Sequence, residues 1–342
     1  MESRALPYWT YSEELAHTFP NGSSIKYYYF DLCPHTPTIF MSVYWDDLHK
    51  HPKFPKTKKV WWMVNVEMIG KDREHFIQET DMVLCRTLDC EKRFNELFKQ
   101  RGNRRNTTVF YTSGVTSDIS ALTRYYSGDS RKNFSTLSFL HVPGSSPFKG
   151  TEHIMRCWAQ RKDFPTLIIS TISDQHDNNY KKLLRNNTNV VFQHTTLSLL
   201  GMAKLFADIP VILCPSSMEG YGHYINKARA SGALLVTTNL PPMNEFIDSN
   251  SGVLVQVTSA HSDKVQVLGD DHLANVLPIS ADLKSEHICD AVEEIIRMSP
   301  AKRKMLAIRG RERYEKDVMT FQTRLNELRK IGLEMRVESE SK

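Results

Sequence analysis

Four residues, Glu219-Gly220-Tyr221-Gly222, follow an apolar run that ends in Pro215-Ser216-Ser217. Two glycines at such a place let backbone N–H groups approach an anion closely, and a helix beginning there adds a favourable dipole. A carboxylate at Glu219 is suited to accept hydrogen bonds from sugar hydroxyls. Ligands of open α/β sheets sit just beyond the carboxyl ends of strands. A strand over Val211–Cys214 and a helix over Tyr221–Ala230 would place the segment there. The helix would stop at Ser231-Gly232, a strand follow over Ala233–Thr237, and the proline-rich loop Asn239–Asn244 lead to Glu245. His223, in the first helical turn, can touch a phosphate or simply neighbour a cap.

The elements around this segment alternate. In the first part Ile39–Tyr44, Val60–Val66, Met82–Cys85 and Thr108–Tyr111 are β-branched or aromatic runs. Cys90–Gln100 between them carries Phe94, Leu97 and Phe98 at helical spacing. Further on, strands are expected at Leu137–Val142, Thr166–Ser170, Val190–His194 and Gly252–Val257. Helices are expected at Thr151–Gln160, Leu197–Phe206 and from Lys284 onward. Such alternation predicts parallel sheets flanked by helices. The polar stretch Tyr125–Asn133 separates domains 1–130 and 131–315, and 316–342 forms a C-terminal helix and frayed tail. Strand ends in the first domain bring forward Asn65 and Glu67, and a loop with Ser113, Thr116 and Asp118.

The chain has 342 residues, 40% of them hydrophobic, and a formal net charge of +5. That supports real cores and anionic ligands but is too small an excess to indicate nucleic acid. The basic stretches Lys53–Lys59 and Arg101–Arg105 are expected as solvated loops, and the aromatic pair Trp61-Trp62 as core. No run has signal-peptide or membrane-span character. The six cysteines lack a C-x-x-C pair and several stand in apolar runs, so buried free thiols and a reducing, cytoplasmic compartment are expected.

E-G-x-G at a strand end, a helix ending in S-G, a strand and a loop with N-E together resemble the donor half of family-4-type retaining glycosyltransferases. Phe139–Glu152 (FLHVPGSSPFKGTE) is similar to the strand–loop–helix that opens their second domain, with Lys149 at the position of their diphosphate-binding cation. Trp62–Glu67 (WMVNVE), Leu84–Thr87 (LCRT) and Tyr111–Asp118 (YTSGVTSD) resemble a branch of the same enzymes. The resemblance implies an α/β chain of GT-B architecture, two Rossmann-like domains with parallel sheets facing across a cleft. It implies a UDP- or GDP-linked nucleotide-sugar donor held by Lys149, Gly220, Tyr221, Gly222, His223 and Lys227, with Glu219 as the catalytic contact to the sugar. The base would lie near Ser170–Ser173 and Gln193–Thr195. Asn65, Glu67, Ser113 and Thr116 would stand on the acceptor side, facing a carbohydrate, glycoconjugate or other hydroxyl compound. No metal or other cofactor is implied.

The chain departs from that pattern in two places. The loop Gly144-Ser145-Ser146 lacks the extra cation often found before the lysine. The E-x7-E motif puts a ribose-binding glutamate eight residues after the first, where this chain has Lys227. Hydrogen bonds to a charged group contribute roughly 1.5–3 kcal/mol each, so the exchange alters the donor site; a lysine there can reach a phosphate or an acidic partner instead. The alternatives are a catalytically impaired binding or scaffolding protein and a DNA-base glycosyltransferase.

Overall fold

The computed structural model describes residues 36–42, 58–69, 71–123, 132–144, 146–170, 183–184, 187–193, 197–261 and 279–340. Val43 and Tyr44, most of the Lys53–Lys59 stretch, the linker up to residue 131, Ser145, 171–173 and 194–195 lie outside them.

Four parallel strands form the first sheet in the order β1-β2-β3-β4: β1 (Thr38–Ser42), β2 (Val60–Val64), β3 (Met82–Cys85) and β4 (Thr108–Tyr111). Every residue of β2 and β3 is buried, as unbroken apolar runs require in a parallel sheet covered on both faces. Helix α1 (Leu88–Arg101) follows β3. Thr87 caps it, its Oγ1 accepting from Cys90 N at 3.2 Å, and Phe94 and Leu97 turn into the core.

The second sheet is built from β5 (Ser138–His141), β6 (Thr166–Ser170), β7 (Val190–Gln193), β8 (Val211–Cys214), β9 (Leu234–Thr238) and β10 (Val253–Val255), interleaved with α2 (Thr151–Gln160), α3 (Leu199–Asp208) and α4 (His223–Ala230). Its strands are parallel in the order β10-β9-β8-β5-β6-β7. Chain progression therefore reverses between β5 and β8, the switch point at which doubly wound sheets open a crevice. A short antiparallel pair, β11 (Ala260–His261) and β12 (Ser280–Ala281), precedes α5 (Ser285–Arg297) and α6 (Pro300–Glu340).

At 41 residues α6 is roughly 60 Å long. It starts inside the segment assigned to the second domain and stays helical to Glu340, through most of the tail expected to fray. Along its course it meets both halves. Arg229, buried on α4, donates to Asp317 Oδ2 at 2.7 Å; Arg311 pairs with Asp118 at 2.6 Å; Arg324 Nε donates to Tyr111 O at 2.7 Å. Leu328, Ile331 and Met335 then pack on Trp61, Met63, Met82, Leu84 and Phe110 of the first sheet.

The cysteines correct the free-thiol expectation. Cys85–Cys90 and Cys157–Cys289 are disulfides with Cα atoms 5.4 and 5.6 Å apart, and Cys214 is the buried free thiol among the described residues. The first pair joins the end of β3 to the first turn of α1; the second arises because α2 packs on α5. The thiol argument for a reducing compartment falls with them. Among the described residues no helix is long and apolar enough to cross a membrane.

Candidate functional site

The loops that leave β5 and β8 are locked to one another. Gly150 has φ +70°, and a Cβ there would overlap Pro215 O, so only glycine lets the two loops close. Ser217 N donates to Phe148 O at 2.8 Å. Neighbouring strands at the switch point thus bring Lys149 to Glu219, and the ammonium and carboxylate form an ion pair whose side chains are only 17% and 7% exposed. Ser216 Oγ donates to Glu219 Oε1 at 2.5 Å, so the Tyr224 hydroxyl, 2.5 Å from Ser216 Oγ, must donate to it in turn. Lys149 also lies 4.5 Å above the Tyr224 ring. Glu219 is thus gripped by an ammonium and a hydroxyl relay.

The opposite wall comes from the first half. Asn65 and Glu67 follow β2, and Arg86 follows β3. Glu67 presses against Gly220, where a Cβ would overlap its carboxyl oxygens. Burial raises the Glu67 pKa and the charge of Glu219 adds to the rise, against opposition from its own backbone hydrogen bond, Arg86 and Lys149.

Arg86 donates to Asn65 Oδ1, and its guanidinium lies 4.9 Å from the centre of the Tyr221 ring. Its Nη1 is 3.3 Å from His223 Nε2, while His223 Nδ1 is 2.9 Å from Thr116 Oγ1. A guanidinium can only donate, so Nε2 accepts, and the imidazole is neutral with its proton on Nδ1. Desolvation, then the charges of Arg86, Lys227 and Lys149, push its pKa down to about 4, in keeping with that tautomer.

The walls enclose a cleft of about 350 Å³ lined by Asn65, Glu67, Lys149, Glu219, Tyr221, Gly222, His223 and Lys227 from the expected set, together with Arg86 and Tyr224. Gly220 backs it against Glu67. Thr116 stands behind His223 rather than in the lining. Ser113 is not at the cleft: it is buried at φ 58°, and its Oγ is 3.5 Å from Asp317 O. The glycine beside it, Gly114, seats the Tyr221 ring instead. Ser170 is buried, and Gln193 ends β7. Arg86 does not stand out in the sequence, although it ends a strand in the same way as Asn65.

A second contact between the halves lies beside the cleft. Glu245 accepts from Leu88 N at 2.8 Å and Asp89 N at 2.6 Å, capping α1 from the other domain. Burial raises its pKa to about 7 despite those bonds.

The sequence matches no protein-family model and no curated protein. Solved structures do match. HepE from Anabaena, in complex with UDP and glucose, superposes with a TM-score of 0.53 at 15% identity over 80% of this chain and 72% of that one. The pneumococcal O-GlcNAc transferase GtfA, with UDP and GlcNAc, gives 0.56 at 15% identity over 81% of this chain but only 53% of its own. Trehalose 6-phosphate synthase from Burkholderia multivorans gives 0.58 at 12% identity, covering 82% and 67%. The architecture is GT-B: two Rossmann-like units with parallel sheets on either side of a cleft.

Proposed function

We propose that the chain is a glycosyltransferase of the family-4 type, moving a sugar from a UDP- or GDP-linked donor to a hydroxyl acceptor with retention. One observation carries the reading: Lys149 and Glu219, from loops on either side of the switch point, meet in a cleft whose far wall is the first half's Asn65 and Glu67. Neighbours of this fold that hold UDP together with a sugar support it.

In this reading the nucleoside diphosphate enters over α4. Lys149 exchanges its contact with Glu219 for the diphosphate, and backbone N–H groups after Gly220 add to it, stabilising charge as the sugar–phosphate bond breaks. Glu219, released, accepts hydrogen bonds from the sugar. The acceptor oxygen bonds to the anomeric carbon from the side of Asn65 and Glu67, and its proton leaves with the diphosphate. Lys149 supplies the positive charge, so the scheme needs no metal or other cofactor. Lys227 stands where the E-x7-E pattern has its second glutamate, and the ribose is held without that carboxylate.

The test is a melting-curve panel of UDP, GDP and their sugars followed by calorimetry. A ligand at 100 times its dissociation constant adds about 2.7 kcal/mol to stability. Absence of any nucleoside diphosphate binding at millimolar concentration would sink the proposal.

A further inference from the structure

Arg86 is a cation in search of an anion. Its guanidinium is spent on neutral partners, the amide of Asn65, the imidazole of His223 and the face of Tyr221, and its Nε is buried with no hydrogen-bond partner. Among the described residues no carboxylate forms an ion pair with it. Burial works against its charge, with Tyr221 and Glu67 nearby working in its favour, and neither is within ion-pair distance. A half-buried guanidinium with no ion-pair partner is suited to an anion that a ligand supplies. Lys227 repeats the pattern from the second half: it lines the cleft and has no ion pair among the described residues. It follows His223 by four positions on α4, so the two Cβ atoms share a face about 6 Å apart. His223 is thus flanked by two cations, and as a neutral imidazole it adds none.

We infer that Arg86 and Lys227, on either side of His223, seat a phosphate carried by the acceptor, so that the compound receiving the sugar is phosphorylated. The assignment rests on the donor site proposed above, in which Lys149 already serves the nucleotide diphosphate. Arg86 belongs to the opposite wall, next to the Asn65 and Glu67 that face the acceptor. A planar guanidinium is suited to paired phosphate oxygens, and the lysine adds a point charge at the rim.

The experiment is calorimetry on the whole chain saturated with UDP, using inorganic phosphate and glucose 6-phosphate as probes and glucose as control. Both phosphates are expected to bind saturably, glucose 6-phosphate at least tenfold more tightly than glucose. Arg86→Gln and Lys227→Gln should each weaken phosphate binding tenfold or more, and by a clearly larger factor than they weaken UDP binding, with melting curves verifying that each variant folds. Arg86→Lys, which keeps the charge and loses the fork, should fall between. The inference is overturned if neither phosphate binds at tens of millimolar. It is equally overturned if the two Gln variants lose UDP as much as phosphate, which would assign both cations to the donor. Should UDP itself not bind, the donor reading fails, and phosphate titrations of the free protein and both variants still decide the seat.

Discussion

Gly220 in the second half lies directly against the Glu67 carboxyl of the first, with no room for a Cβ between them. Position 220 is therefore the point at which the two walls of the cleft set each other's distance. Gly220→Ala should displace Glu67 while leaving both cores intact. A misplacement of about 1 Å can cost on the order of 100-fold in rate, so turnover should fall by that order with an unchanged melting temperature. Glu67→Ala in the Gly220→Ala background tests the coupling: if the two effects simply add, the contact has no part in setting the geometry.

The Lys149–Glu219 pair makes Glu219 more than a loop residue. Its place in a glycine-rich segment suggests little contribution to folding, whereas its side chain is 7% exposed and bound to a cation. Removing one partner of a buried pair costs about 3–5 kcal/mol. Glu219→Ala should lower stability by that order and also abolish turnover. UDP should raise the melting temperature of the variant more than that of the parent, because Lys149 is then waiting for an anion. An equal or smaller rise would show that the ammonium does not meet the diphosphate.

Glu245 ties the domains in a pH-dependent way. Its folded pKa of about 7 exceeds the ordinary 4.5. Between those values the folded chain binds more protons than the unfolded one, so this group's contribution to stability falls as pH rises through about 7 and levels off roughly one unit above it. Denaturant unfolding of the parent and of Glu245→Gln at pH 5, 6, 7, 8 and 9 should show a difference that changes most between 5 and 7, less from 7 to 8, and is level from 8 to 9. A constant difference throughout would refute the assignment.

Arg229 is 1% exposed, and Asp317 on α6 is its carboxylate partner. Asp317→Ala should destabilise by about 3 kcal/mol or more, since it strands a buried guanidinium. Replacing both residues by apolar ones, Arg229→Met with Asp317→Leu, should recover much of the loss. Urea midpoints for the three proteins decide this, and a double variant as weak as the single one would place the energy elsewhere.

Most of the scaffold is legible in the sequence because β2, β3 and β8 are covered on both faces and so appear as continuous apolar runs. The same logic, strand ends facing a cleft, brings Asn65, Glu67, Lys149 and Glu219 forward, and the structure draws them together. What it misses depends on contacts between distant segments. Arg86 becomes part of the cleft only because β3 ends beside the first turn of α4. Helix α4 starts at His223 rather than Tyr221 because Gly222, at φ +83°, serves as its cap. Cys157 meets Cys289 across a separation of 132 residues, through the packing of α2 on α5. Ser113 looks like a site residue by position, yet its left-handed backbone and the bulk of Tyr221 on Gly114 turn that loop into a support.

Helix α6 has a consequence for synthesis on the ribosome. The face of the first sheet formed by Trp61, Met63, Met82, Leu84 and Phe110 receives Leu328, Ile331 and Met335 from α6, far downstream in the chain. Strands β1 to β4 are made first, and α6 can reach that apolar surface only after the whole second sheet has been synthesised. Among the described residues this face waits for its helical cover while the second sheet is made, an interval in which exposed apolar surface favours aggregation. A chain stopped before residue 328 lacks the side chains that α6 sets on this face, so the first sheet relies for its cover on a segment made after the second.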